Sequence, residues 1–171
     1  MLYSPNKVYI SVQGGLGNQL FQLAAALSLA MKNDATVGLV PSRPNKRNTF
    51  RPFALDFAEA SPLVTVLDQS DAPDPTLLWA QPSWRYSGDF WHLKPGTHLS
   101  GTFQSWRYAL PALAPIKALL EEEPNFLRGR KYGESRDAFL GCHIRRGDYL
   151  TQPFRDHHGL TRLSWHLSAV R

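Results

Sequence analysis

Two short segments of this chain carry residue types that could do chemistry. The first is His143-Ile144-Arg145-Arg146-Gly147-Asp148, which follows directly on the apolar run Ala138 to Ile144. A guanidinium offers a planar fork of donors that pairs bidentately with phosphate. At the end of a buried strand, Arg145 and Arg146 suit a diphosphate, and as fixed cations they would stabilise the charge that grows on it as it departs, without a metal. The same residues equally fit an ion pair between one arginine and Asp148. The second segment is Gln13-Gly14-Gly15-Leu16-Gly17-Asn18-Gln19, where glycines let backbone amides approach a ligand at a helix start. It is not a dinucleotide fingerprint, because Leu20 stands where the last glycine belongs, and no Gly-Lys-Ser/Thr follows to make a phosphate loop. By spacing alone it is either a ligand-binding loop or a bare tight turn.

Other candidates are poorer. Asp156-His157-His158, with His143 and His166, lacks the spacing of a metal site, so no metal is expected. Cys142 is the one cysteine, which excludes an internal disulfide and a cysteine zinc site, and it reads as a small buried side chain. Glu121-Glu122-Glu123 reads as a solvated helix end, and no Gly-x-Ser-x-Gly elbow supports a serine hydrolase.

The charge points to the same end as the arginines. Of 19 Lys and Arg, 13 are Arg, and the net charge is +5. Residues 124–171 hold nine of those cations against four acids, whereas residues 1–123 balance at ten each, so all of the excess lies in the tail. An anionic partner near that end is expected; a nucleic acid is not, because no binding motif or basic run with interleaved aromatics occurs. With 171 residues, 43% of them hydrophobic, and 5 Trp, 6 Tyr and 9 Phe, the chain is a globular domain with room for part of a second. The longest apolar run, Leu23 to Ala30, is far short of the roughly 20 residues of a membrane span. Glycines and amides stand where a secretory signal would place its apolar region, so a cytosolic chain is expected.

The elements that must position these segments follow from the pattern. Val8 to Val12 is a nearly continuous apolar run, the mark of a strand buried on both faces, and it leads straight into the glycine segment. From Gln19 to Lys32 apolar residues recur at helical spacing, and Thr36 to Val40 is a second strand before Pro41. Strand, glycine turn, helix and strand make a βαβ unit, the start of an α/β fold. Leu63 to Leu67 and Thr97 to Phe103 read as further strands, with a turn at Lys94-Pro95-Gly96, and Phe53 to Phe57 is too short to assign by period. Trp106 to Leu120 reads as a helix crossed by Pro111 and Pro115 and ended by Pro124. Residues 128–137 form a charged link, and Ala138 to Ile144 a buried strand.

Gly14-Gly15-Leu16-Gly17-Asn18-Gln19-Leu20-Phe21-Gln22 and His143-Ile144-Arg145-Arg146-Gly147-Asp148-Tyr149 together resemble motifs of the alpha-1,2-fucosyltransferase family, glycosyltransferase family 11. Two weaker matches lie between them in the family's order, Arg51 to Phe57 and Leu99 to Tyr108, and Asp156 to Val170 resembles the segment after the arginine motif. The resemblance implies a GT-B enzyme, two Rossmann-like domains across a cleft. Such an enzyme transfers L-fucose from GDP-fucose to the 2-hydroxyl of a terminal galactose, with inversion and without metal or cofactor. It implies that Arg145 and Arg146 hold the diphosphate, that His143, Gly147 and Asp148 shape the same loop, and that Gly14, Gly15, Gly17, Asn18 and Gln19 line the cleft. Asp148 is the nearest candidate for the base.

The family continues far beyond the arginine motif, so the resemblance also implies a truncated member. Residues 1–127 would be the acceptor-side Rossmann-like domain, and 128–171 the linker and incomplete start of the donor domain. The alternative is an inactive remnant, or a glycan-binding module without a working donor site. Its setting would be the bacterial cytosol, with peripheral contact to the inner membrane, whereas animal members are anchored in the Golgi.

Overall fold

The computed structural model describes residues 4–41, 52–68, 71 and 75–123. β1 (Lys7–Val12), α1 (Leu16–Lys32) and β2 (Thr36–Pro41) follow the expected strand, helix, strand order. Side chains alternate along β1 as the period of two requires. Val8, Ile10 and Val12 join Leu23, Leu27 and the alanines of α1 in the main core, while Tyr9, on the other face, packs with Val40 and Leu67. A Cβ at Gly38 would stand 2.8 Å from both Tyr9 Cδ1 and Leu67 Cδ1, so the Tyr9 ring can cross the neighbouring strand only because residue 38 has no side chain.

Every residue of α1 from Gln22 to Ala30 is buried, which is why small alanines fill the positions between its leucines. The helix ends in a Schellman arrangement. Ala35 N–H donates to Ala30 O (2.9 Å) and Asp34 N–H to Met31 O (3.5 Å), with Asp34 at φ 51° in the place glycine usually takes. Asn33 Nδ2 adds a bond to Leu29 O (2.8 Å), and the chain is thereby turned back into β2.

Three short strands complete the sheet: β3 (Val64–Val66), β4 (Leu78–Ala80) and β5 (His98–Ser100). The order is β3-β2-β1-β5-β4, and every pairing is parallel. The described residues therefore form a mixed α/β unit around a five-stranded parallel sheet, compatible with a Rossmann-like fold. By its contacts the chain divides into two units, Met1–Gly129 and Arg130–Arg171, and all described residues belong to the first. The strand expected over 138–144 and the domain boundary expected at 127 lie outside the described residues.

Some elements differ from the sequence reading. α1 begins at Leu16 rather than Gln19, so Gly17 is inside its first turn. The strand expected over Thr97 to Phe103 stops at Ser100, because Phe103 takes a left-handed φ of 50° and the chain leaves the sheet. The single helix expected over 106–120 is three pieces: α2 (Trp106–Ala109), a 3-10 turn (Leu110–Ala112) and α3 (Leu113–Glu122). Each proline then falls in a first turn, where its missing N–H breaks no intrahelical bond. β4 and the 3-10 turns Asp56–Ala60 and Gly88–His92 had no period to announce them. α2 and the 110–112 turn pack on α1.

Candidate functional site

In a parallel sheet all strands end at one edge, and ligands settle where the strand order reverses. Here β1 leads to β2 and β3 on one side, while β5 and β4 lie on the other, so the reversal falls between β1 and β5. The segments leaving those two strands are the glycine segment and Gly101-Thr102-Phe103-Gln104-Ser105. Gln104 Nε2 donates to Asn18 Oδ1 at 2.6 Å, tying residues 86 apart in sequence.

Three glutamines shape this edge. Gln19, only 2% exposed, donates from Nε2 to Gly14 O (2.8 Å) and Pro52 O (2.9 Å) and accepts from Ala54 N–H (3.0 Å) at Oε1. Both of its donors are engaged, so it joins the β1 exit to the 52–54 segment and presents no free N–H to a ligand. Gln22, fully buried, accepts from Gln13 N–H (2.9 Å) and donates to Gly101 O (3.0 Å), joining the β1 and β5 exits. Gln81 Oε1 accepts from the Thr102 and Phe103 amides (3.1 and 2.9 Å) and so holds the turn after β5.

The glycines have separate reasons to be there. Gly14 has φ 84°, and a Cβ on it would stand 2.8 Å from Asn18 Nδ2 and 3.2 Å from Asn18 Cβ. Gly15 caps α1 with no side-chain hydrogen bond, and the first turn carries no acid. The amides of Leu16, Gly17 and Asn18 thus have no acceptor within the helix, and the helix dipole makes that end positive. A Cβ at Gly15 or Gly17 would meet no atom of the described residues within 4 Å. Among the described residues no packing requires those two positions to be bare, although Gly17 costs helix stability.

Beside this crevice, Arg107 lies over the rings of Tyr86 (5.2 Å) and Trp106 (5.7 Å), and Trp106 is largely exposed. On the adjacent strands Ser11 Oγ and His98 Nε2 are 2.8 Å apart, and burial holds the His98 pKa below its ordinary 6.5. A cavity of about 470 Å³ opens past the ends of β4 and β5, lined by Gln81, Pro82, Ser83, Trp84, Gly101 and Thr102. A second, of about 550 Å³, lies among Leu16, Leu20, Ala54, Asp56, Phe57, Leu120 and Glu123. His143, Arg145, Arg146, Gly147 and Asp148 lie outside the described residues. Among the described residues no three His, Cys, Asp or Glu gather as metal ligands, and no helix is long and apolar enough to cross a membrane.

Sequence reasoning assigned no role to Gln22, Gln81, His98 or Ser11. A signal existed for Gln22: three residues after Gln19, it sits on the same face of a helix otherwise filled with Leu and Ala. Gln81 has none, since its partners lie 21 and 22 residues away. Compared with family models, with curated proteins and with solved structures, the chain finds no match.

Proposed function

We propose that this chain is built as an alpha-1,2-fucosyltransferase of the glycosyltransferase family 11 kind, with a GT-B plan in which the described α/β unit is the acceptor-side domain. The observation that carries this reading is the meeting of three of the resembling motifs at one edge of the sheet. Gln19 ties the glycine motif to Pro52 and Ala54, Gln22 ties it to Gly101, and Asn18 ties it to Gln104. Motifs recognised by residue type and order alone are thus hydrogen-bonded neighbours around the crevice where a parallel sheet binds ligands.

In this reading the 2-hydroxyl oxygen of a galactose attacks the anomeric carbon of fucose from the side opposite GDP. The bond from that carbon to the diphosphate oxygen breaks, and GDP leaves with the bonding pair. Arg145 and Arg146 hold the diphosphate and stabilise its growing charge, with His143 and Gly147 forming the loop that presents them. The hydroxyl proton passes to a carboxylate, for which Asp148 is the candidate within the motif. The glycine segment from Gly14 to Asn18 lines the cleft, and Gln19 holds that loop in shape.

The experiment is calorimetry with GDP on this chain and on Arg146→Ala, followed by a transfer assay from GDP-fucose to lactose. Arg146→Ala is expected to weaken GDP binding by roughly tens-fold, from the loss of charge-assisted bonds to phosphate. A folded sample of the unaltered chain that binds no GDP and transfers no fucose overturns the reading.

A further inference from the structure

The sheet has two edges, β3 and β4, and they are finished differently. In a ladder the main-chain groups of successive residues face opposite neighbours, so every second residue of an edge strand turns its N–H and C=O outward. On β3, Leu67 N–H donates to Leu39 O of β2 (2.8 Å), which makes Val64 and Val66 the outward residues. Both of their donors are taken, Val64 N–H by Ser61 O (3.1 Å) and Val66 N–H by a Glu59 carboxylate oxygen (3.3 Å). Between them the exposed Thr65 accepts from Lys7 Nζ at its hydroxyl (3.2 Å). A strand approaching this edge would meet amides already bonded and charged side chains.

Among the described residues β4 has no such guard. Gln81 N–H donates to Ser100 O of β5 (2.8 Å), and Ala80 is in register with Ser100, so Leu78 and Ala80 are the outward residues of this strand. No described turn or loop bonds to their main-chain groups. Both side chains are exposed, Leu78 at 48%. No charged residue occurs from Pro75 to Trp84. An edge that is open, apolar and uncharged is a template for another strand, and sheet proteins ordinarily blunt it as β3 is blunted.

We propose that β4 pairs with β4 of a second copy of this chain, antiparallel about a two-fold axis at Trp79. Two features choose this occupant. The first is the placing of the outward groups. The next outward position after Ala80 is Pro82, which has no N–H, and before Leu78 the chain is in the 3-10 turn Pro75–Leu77. The outward donors of the strand are therefore those of Leu78 and Ala80, set symmetrically about Trp79. With the axis there, Leu78 of each copy exchanges both of its main-chain bonds with Ala80 of the other, and no outward group of the strand is left over. The second feature is that the side chains complement their own copies. Leu78 falls beside the small Ala80 of the second copy on the same face, and an uncharged strand meets no like charge in its double. With only three residues a side, the strand pairing is smaller than the roughly 1,200 Å² of a stable interface, so dissociation is expected at about tens of micromolar. The pairing makes no use of the transferase reading, and either can fail without the other.

The test follows sedimentation of the whole chain from about 1 μM to about 500 μM. A monomer–dimer equilibrium is expected, with the dimer as the largest species, because a two-fold pairing consumes the open edge of both copies. Over the same range, amide exchange at Leu78 and Ala80 should slow by about tenfold or more, since the dimer bonds those outward N–H groups. Ala80→Pro removes an outward donor and no bond to β5, and Leu78→Lys sets a charge where Ala80 of the second copy would lie. Each should weaken the dimer by about tenfold or more at an unchanged urea midpoint. Leu113→Lys, at an exposed apolar position of α3, should leave the dimer as it is. If Ala80→Pro does not fold, Leu78→Lys and the exchange of the two amides decide. A monomer throughout, growth beyond the dimer, a dimer undiminished in Leu78→Lys, or one that Leu113→Lys abolishes overturns the proposal.

Discussion

β1 and β2 are six residues each and pair along their whole length, whereas β4 and β5 pair over only three positions. On the first side, a helix of Leu and Ala lies on strands of Val, Ile and Leu, and the backbone ladder carries the geometry. On the second, Phe90 stands at the centre of a ring cluster, with Trp79, Trp91, Phe103 and Tyr108 at centroid distances of 4.8 to 6.1 Å. Around its short strands the chain runs through 3-10 turns and, at Phe103, a left-handed residue. Side chains supply there what the ladder supplies elsewhere: Gln81 holds the β5 exit, and Tyr108 Oη accepts from Ser87 N–H (2.7 Å). Where strands are long, the loops inherit their positions from the sheet. Where they are short, the loops are positioned by a few large or amide-bearing side chains, so single substitutions there should be felt at the site.

Phe90→Ala should have the largest effect. Phe90 is fully buried, and truncation of such a ring costs about 3–5 kcal/mol. Urea unfolding gives the size, and amide exchange shows where it falls. β4 and β5 amides are expected to lose protection before those of β1 and β2; simultaneous loss would mean that both sides form one cooperative unit.

Gln22→Leu should come next, at about 2 kcal/mol, because it leaves Gln13 N–H and Gly101 O without their partner at the seam between the two sides. A drop in the urea midpoint accompanied by chemical-shift changes at both Gly14 and Gly101 would show the amide coupling the two exits. Changes confined to one exit would show that each loop stands by itself.

The smallest effect concerns pH. Burial keeps His98 neutral below its ordinary value of 6.5, so the unfolded chain takes up a proton that the folded chain resists. This contribution to stability is present above about 6.5 and is lost as pH falls from there through the lower value His98 has in the fold. Unfolding midpoints followed down through this range should fall more steeply for the unaltered chain than for His98→Gln. Parallel lines would remove His98 as the cause.

The βαβ unit was legible in the sequence because its determinants are local. Apolar runs, helical spacing and a glycine segment each state their element within a dozen residues. The start of α1 was misread because a glycine is a poor helix former, and only the packed structure shows Gly17 inside the first turn. The β4 and β5 side was poorly legible, since three residues cannot display a period of two, and the end of β5 is set by Gln81 from outside the strand. At the site, the glycine segment was visible by type. The roles of its members were not: Gly14 is demanded by its backbone angle, Gln19 faces inward, and Gly15 and Gly17 meet no neighbour among the described residues.

Residue type and order, by themselves, determined that an α/β unit would begin this chain and that a glycine segment would stand at the end of its first strand. Only the tertiary structure decided which strand lies beside β1, and hence that the β5 exit faces that segment across the reversal of strand order. It also decided that Gln81 holds the Thr102 and Phe103 amides at the exit of β5. Periodicity acts over neighbouring residues and can be read along the chain, but the pairing of β1 with β5 and the closing of Gln22 on Gly101 join residues 89 and 79 positions apart. Such contacts are chosen by burial of the whole core at once, and no local pattern encodes them.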